Sequence, residues 1–161
     1  MKRIITVAVI LLSLLINAYA QNGRSIYQEY SDAKGISAVY ISPSMFRLIG
    51  KIPDIEAGDG NINLTPIIRS LNGLYILSSE NAEINGKLSK DVNRFIASGK
   101  FELLMEAKED GEKVTMFTSG DEKTVTSFVL FSDDGEDLTF ICIDGKMDRA
   151  QLEDILSEQI K

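Results

Sequence analysis

Hydrophobic and polar residues alternate with the period of β-strands through the second half of the chain. The pattern marks four strand-like runs: Phe101 to Glu109, Glu112 to Ser119, Thr124 to Ser132 and Leu138 to Asp144. The first two runs are joined by Asp110-Gly111, and an Asp-Gly pair between alternating runs favours a hairpin. All three connections are too short for a parallel crossover. The pattern therefore predicts an antiparallel meander of four strands.

The two ends of this meander differ in their apolar content. In the first run, alternation predicts a buried face with Phe101, Leu103, Met105 and Ala107 and a mostly solvated face. The last run is apolar on both faces, which predicts a central position in the sheet.

The first half of the chain mixes helical and strand patterns. Predicted strands are Ile36 to Ser42 and Leu74 to Ser79. Predicted helices are Arg24 to Gly35 with a Ser25–Gln28 capping box, Pro43 to Ile49 ended by Gly50, Ile67 to Leu71, and Gly86 to Ser98 ended by Gly99. A last helix after Asp148, capped with Gln151, carries Leu152, Ile155, Leu156 and Ile160 on one face.

Together these elements predict an α+β fold. We expect a single mixed, mostly antiparallel sheet of about six strands with helices packed on one face. The first two strands are separated by helices, so parallel or mixed pairing is open for them. Residues 21–161 contain no repeat or low-complexity linker, which indicates one domain.

The first twenty residues follow the pattern of a secretory signal peptide. A basic start, Met1-Lys2-Arg3, precedes an apolar run from Ile4 to Ile16, and small residues lead up to Ala20. The apolar run is about 13 residues, shorter than the roughly 20 of a membrane-spanning helix. We expect cleavage after Ala20 and a mature protein that is periplasmic or secreted, with no membrane span.

Charge and rare residues exclude several function classes. The chain has a formal charge of −7, which becomes −9 when Lys2 and Arg3 leave with the signal peptide. Such a surface repels nucleic acid. Histidine is absent and Cys142 is the one cysteine, so Ser-His-Asp and Cys-His catalysis, a disulfide within the chain and the usual zinc sites are excluded. Cys142 is predicted to be a small buried residue in a strand.

Two acidic stretches are candidates for a metal site. Asp54, Glu56 and Asp59 lie in Ile52 to Leu64, with Asn61 and Asn63 close by. An EF-hand loop that starts at Asp59 would place Leu64 where glycine is required and Ser70 where glutamate is required. We therefore predict a polar connection without secondary structure, among the most mobile parts of the domain, and no metal. Ser132 to Asp137 is predicted to be a charged hairpin loop.

The remaining candidates are carboxylates and tyrosines. Glu102 and Glu106 are spaced to project from one strand face and could act as a glycosidase pair, but Lys108 on that face favours an exposed salt bridge. Tyr27, Tyr30, Tyr40 and Tyr75 could line a groove. Their positions inside apolar elements favour core residues with a polar tip at the surface.

Three stretches together resemble a known family. They are GISAVYISPSMFRLIG, FELLMEAKEDGEKVTMF and LTFICIDGKMDRAQLEDI, within Ile26 to Ile160. They resemble the domain of unknown function 4252, a family of small exported proteins of Bacteroidetes. The resemblance implies an envelope location, by secretion or lipid anchoring, and no established activity, so no site residue is carried over. Without a lipid-anchor cysteine, the soluble periplasmic form is favoured.

The sequence therefore predicts an exported cell-envelope protein that binds an unknown protein or small ligand without catalysis. The alternative is a carboxylate-based hydrolase that acts on glycans or cell-wall material. No catalytic, cofactor-binding or metal-binding residue is assigned, and no cofactor is expected.

Overall fold

The architecture is a six-stranded sheet with helices, seen in a computed structural model that describes residues 22–49, 56–57, 62–63 and 65–158. The helices are α1 (Gly23–Tyr30), α2 (Pro43–Ile49), α3 (Thr65–Ser70), α4 (Ala82–Ser98) and α5 (Arg149–Glu158). The strands are β1 (Ile36–Ile41), β2 (Glu56–Ala57), β3 (Ile62–Asn63), β4 (Leu71–Ser79), β5 (Glu102–Glu109), β6 (Glu112–Gly120), β7 (Thr124–Asp133) and β8 (Leu138–Asp148).

The large sheet has the strand order β1-β4-β8-β7-β6-β5. The α+β class, the six strands and the β5–β8 meander are confirmed, and β8 lies between β4 and β7, as its two apolar faces predicted. Every pairing is antiparallel, including that of β1 with β4, so the parallel option for the early strands is not realised. The reason is that α2 and α3 contact each other at one end of the sheet, where Ile41 lies opposite Leu74 and the chain turns back.

The hydrophobic core lies between one face of the sheet and the helices α1 and α4. Leu88, Val92 and Phe95 of α4 are buried, as their helical spacing predicted. They pack with α1 and with residues of the three central strands. The core cluster comprises Ile26, Tyr30, Tyr75, Leu77, Leu88, Val92, Phe95, Val129, Phe131, Leu138, Phe140 and Cys142. We call this side of the sheet the helix-covered face.

A buried polar pair joins the two helices of this layer. The hydroxyl of Tyr30 in α1 donates a hydrogen bond of 2.6 Å to Asp91 in α4, and Arg94 lies 3.0 Å from the same carboxylate. Asp91 is buried, so these contacts replace the water that a carboxylate loses on folding. The pair fixes how α1 lies against α4.

Several element boundaries differ from the prediction because other residues supply the caps. In α1 the capping box is Asn22 with Ser25, not Ser25 with Gln28, and the helix ends at Tyr30, before Gly35. The helix α4 begins four residues earlier than predicted, since the side chain of Asn81 accepts a hydrogen bond from the backbone N–H of Glu83. The predicted Asp148 cap of the last helix is confirmed by a 3.1 Å bond from the N–H of Gln151.

The acidic connection contains short strands that the sequence did not predict. Glu56 pairs with Asn63 and Ala57 with Ile62 in an antiparallel ladder, so the prediction of no secondary structure between Ile52 and Leu64 was wrong. The two-residue strands β2 and β3 are the part of this stretch that the structure describes. Asp54 and Asp59, and the prediction of high mobility, lie outside the described residues.

Candidate interaction surface

The face of the sheet opposite α1 and α4, which we call the open face, carries an apolar row that crosses all six strands. The strand register places one apolar side chain of each strand next to the following one. From β1 to β5 this central row consists of Val39, Ile76, Ile141, Leu130, Met116 and Met105. None of these six residues belongs to the core cluster or packs against it. Val39 and Met105, at the two ends, are 47% and 45% exposed, and the four between them are half-buried.

Two further rows flank the central row on the open face. Side chains two residues apart on a strand share a face, so the register also defines these rows. The large flanking row, in the same strand order, is Ile41, Leu74, Ile143, Phe128, Thr118 and Glu102. Of these, Thr118 is already buried, with 2% of its surface exposed. The small flanking row is Ser37, Ser78, Thr139, Ser132, Val114 and Ala107. Glu102 is the one charged residue in these three rows, although 25% of the chain is charged.

The edge strand β5 adds to the exposed apolar surface. Leu103, Leu104 and Met105 are 54%, 50% and 45% exposed, and every residue of β5 is solvent-exposed. The predicted burial of one face of this strand is therefore wrong. The physical reason is that β5 is the last strand of the sheet and is irregular between Leu103 and Met105, where its pairing with β6 shifts by one residue.

The same irregularity separates the two carboxylates that could have formed a glycosidase pair. Glu102 lies opposite Thr118 on the open face, whereas Glu106 lies opposite Thr115 on the helix-covered face. The prediction that they share a face was wrong. Glu106 instead forms ion pairs with Lys108 at 2.6 Å and Lys113 at 2.9 Å, which lower its pKa. The predicted salt bridge with Lys108 is confirmed.

A small cleft lies between α4 and the strands β6 and β7 on the helix-covered face. Its volume is about 200 Å³, below the several hundred Å³ usual for ligand pockets. Phe117 and Phe131 form part of its lining, and Ser89 bonds to Asp133 at 3.0 Å across its rim. Its polar groups are thus largely satisfied by one another, and the cleft has room for only a few atoms.

Cys142 lies in β8 as a fully buried thiol, as predicted. Its neighbours are Ser127 and Asp144, each 3.5 Å from the sulfur, and Ser127 donates a 2.8 Å hydrogen bond to Asp144. Burial raises the pKa of the Cys142 thiol well above its usual range, and the nearby carboxylate adds to this. The thiol is therefore protonated and poorly suited to act as a nucleophile.

The acidic hairpin loops use their carboxylates to hold their own turns. Asp134 accepts hydrogen bonds from the N–H groups of Glu136 and Asp137, and Asp121 accepts from those of Lys123 and Thr124. These bonds lower the pKa of both carboxyl groups. The predicted hairpin between β7 and β8 is confirmed. Within the part of the chain that the structure describes, no group of three or more metal-ligating residues comes together.

Three of the four candidate tyrosines form a cluster at the β1 side of the helix-covered face. Tyr40 stacks on Tyr75 with ring centroids 5.3 Å apart, and Tyr27 lies within 6 Å of both rings. Tyr30 and Tyr75 are buried in the core, as predicted, but the hydroxyl of Tyr30 bonds to buried Asp91 and does not reach the surface. Tyr40 is exposed and Tyr27 is half-buried.

The burial of Tyr75 predicts a loss of stability in alkali. Burial, helped by the charge of Asp144, raises the pKa of Tyr75 from 10 to about 12. Between these values the unfolded chain loses the phenolic proton while the folded chain keeps it. The free energy of unfolding should then fall by up to about 1.4 kcal/mol per pH unit above pH 10, with no contribution from Tyr75 below pH 10. Urea unfolding from pH 8 to 12 measures this.

The variant Tyr75→Phe isolates this effect, because it removes the proton and keeps the ring. Its stability should decline less steeply than that of the wild type above pH 10. Tyr40→Phe, in the exposed ring of the same cluster, serves as the control. Parallel pH curves for the wild type and Tyr75→Phe would contradict the assignment.

The open face is a feature of the described surface that the sequence did not predict and that has the size of an interaction site. Its signal was present in the two-sided apolar runs of β4, β7 and β8. No described helix has both the length and the apolar character that a membrane span requires.

Comparison with known proteins identifies the family. No curated protein and no solved structure matches the chain. The family model described as "Domain of unknown function (DUF4252)" matches residues 30–155. The match extends from the end of α1 into α5 and includes the whole of the three stretches that carried the resemblance. Since it covers most of the chain, this protein belongs to the DUF4252 family.

Proposed function

We propose that this protein is an exported cell-envelope protein that acts by binding another macromolecule through the open face, without catalysis. The observation that carries the proposal is the central row, an apolar stripe across all six strands with both ends exposed. Contiguous exposed apolar surface of this kind marks interaction sites in soluble proteins. The row supports a binding role because transferring it from water to a partner would be favourable.

The carboxylate-hydrolase alternative receives no comparable support. Glu102 and Glu106 lie on opposite faces of β5, and Glu106 forms ion pairs with two lysines. A glycosidase needs two carboxyl groups about 5–10 Å apart across one cleft. No second observation favours this function.

The proposed location rests on residues 1–20 of the sequence. A basic start, a short apolar run and small residues before Gln21 are typical of a cleaved signal peptide. The mass of the protein recovered after expression of the full sequence should correspond to a chain that begins at Gln21. A mass that retains residues 1–20 would contradict this part of the proposal.

The binding role is tested by comparing three forms of the processed protein on a resin. The face variant carries Met116→Lys and Leu130→Lys, in the middle of the central row. The control variant carries Met45→Lys and Leu48→Lys, two exposed residues of α2 that belong to none of the three rows. Both variants add two positive charges, so a difference in the proteins they retain must come from where the lysines are placed.

We expect the wild type and the control variant to retain the same proteins from envelope extract, including further copies of this protein. The face variant should retain them at least about tenfold less, as expected when central interface residues are lost. Circular dichroism of all three forms checks that they are folded. If the three forms retain the same proteins, or if none retains any, the proposed function is wrong.

A further inference from the structure

We infer that the partner of the open face is a second copy of this chain, so that two sheets stack face to face in a dimer. The inference rests on the proposed function, because it names the occupant of the same face. It is carried by three observations: the distribution of charge, the size of the face and the sizes of the side chains in its three rows.

The distribution of charge favours a second copy of the chain, and not an anionic membrane, as the partner of the open face. The chain carries a net charge of −7, so two copies repel each other wherever their charged surfaces meet. On the open face this repulsion is limited, since Glu102 is the one charged residue of the three rows, and the carboxylate of Glu112 at their edge accepts a 3.2 Å hydrogen bond from Ser132. A membrane rich in anionic lipid would instead be held by lysine and arginine, and none occurs in these rows.

The size of the face is sufficient for a specific dimer. Six strands spaced about 4.8 Å apart and rows that span about five residues of each strand give roughly 500 Å² per copy. Two copies would bury at most about 1,000 Å² in total, which is the lower limit for a specific interface. Stacked sheets pack about 10 Å apart, a distance that the apolar side chains of both copies fill.

The two flanking rows complement each other across a two-fold axis that runs along the central row. Rotation about this axis lays the central row of one copy on that of the other, and each large flanking row on a small flanking row. Leu74 then faces Ser78 of the second copy, and Phe128 faces Ser132. Large side chains opposite small ones interdigitate without overlap. Glu102 faces Ala107 of the second copy, which keeps the two glutamates apart.

Oxidation of Met45, Met105 and Met116 provides the measurement. Met45 in α2 and Met105 in the central row are 47% and 45% exposed, so in a monomer they should be oxidised at similar rates. In the dimer Met105 is covered while Met45 stays open. We expect oxidation by dilute peroxide, measured by mass spectrometry, to slow at Met105 and Met116 relative to Met45 as protein concentration rises. Sedimentation should show a dimer over the same concentration range.

A steric variant tests the proposed arrangement with little risk to the fold. Ser78 is exposed and belongs to the small flanking row. Ser78→Phe should weaken the dimer at least about tenfold, because the added ring meets Leu74 of the second copy. Ser78→Thr, which keeps a small side chain, should dimerise like the wild type. The face variant Met116→Lys/Leu130→Lys should be a monomer, and Met45→Lys/Leu48→Lys a dimer.

Each alternative outcome overturns the inference in a recognisable way. A monomer with Met105 as reactive as Met45 excludes the second copy; if the face variant still loses captured proteins, the proposed function stands with another partner. A monomer with Met105 protected at every dilution means that a segment of the same chain covers the face. A dimer that is insensitive to Ser78→Phe and to the face variant uses another surface.

Discussion

Replacing Phe140 by alanine is expected to lower the free energy of unfolding by about 3–5 kcal/mol. Phe140 is fully buried in β8, between Leu77 of β4 and Phe131 of β7 in the sheet register. Its ring also meets Phe95 of α4 edge to face, with centroids 6.4 Å apart. Truncation removes the contact between Phe140 and Phe95 and leaves a cavity. Urea denaturation at low protein concentration measures the change.

The matched control is the same substitution on the open face. Phe128→Ala removes the same ring from β7, the strand next to β8, but Phe128 is half-buried and outside the core cluster. We expect its cost to be no more than about 2 kcal/mol, since less apolar area returns to water. Equal costs for Phe140→Ala and Phe128→Ala would mean that the open face is packed as tightly as the helix-covered one.

The parts of the fold that sequence predicted well are those set by local patterns. Asp110-Gly111 between alternating runs predicted the β5–β6 hairpin, and the apolar spacing of Leu88, Val92 and Phe95 predicted the buried face of α4. The helix cap at Asp148 also follows from side-chain chemistry within a few residues. Patterns of this kind are independent of which strand becomes a neighbour.

The irregularity in β5 could not be predicted from its own residues. Leu103, Leu104 and Met105 are all apolar, so a shift of one residue leaves an equally apolar pattern. The shift is defined only by the pairing with β6, where Leu103 lies opposite Phe117 and Met105 opposite Met116. That single extra residue sends Glu102 and Glu106 to opposite faces and removes the candidate catalytic pair.

The open face was missed for a related reason. The two-sided apolar run of β8 predicts a central position in the sheet, and β8 is central. Two-sided apolar strands predict two covered faces, but the described core is built on one face only, by α1 and α4. The excess of apolar strand residues over the helices available to cover them was the sequence signal for an interaction surface.

Two polar features of the fold, the β2–β3 pair and the hydrogen bond between Tyr30 and Asp91, were not predicted from the sequence. Asp59-Gly60 is the same hairpin signal as Asp110-Gly111, but the acidic residues around it are also typical of a metal-binding loop, and the β2–β3 pair was not predicted. Asp91 falls on the apolar side of α4, next to Val92, where a carboxylate requires a partner. That partner, Tyr30, is 61 residues away in sequence, and local patterns cannot supply it.

The second large expected effect is at Gly120, the last residue of β6. Its φ of +153° is a backbone conformation that only glycine adopts readily, and the pairing with β7 shifts there. A Cβ atom at this position would press on the carbonyl oxygen of Thr124 and lie 2.9 Å from the Cα of Val125. Both obstacles are backbone atoms, which cannot rotate away as a side chain can. Gly120→Ala should therefore lower the free energy of unfolding by about 3 kcal/mol.

Two other glycines separate the two costs of a glycine-to-alanine change, the strain of the backbone conformation and the steric clash of the added Cβ atom. Gly111 has a φ of +95° and open space around its Cα, so Gly111→Ala should cost only about 1 kcal/mol, the conformational part. Gly86 lies inside α4 with nothing nearby, so Gly86→Ala should raise stability by about 0.5–1 kcal/mol. Thermal and urea unfolding of the three variants give the order. Asp121 holds the β6–β7 turn by accepting hydrogen bonds from the N–H groups of Lys123 and Thr124. Equal losses of stability in Gly120→Ala and Gly111→Ala would contradict the prediction, because they would mean that this turn shifts to make room for the added Cβ atom.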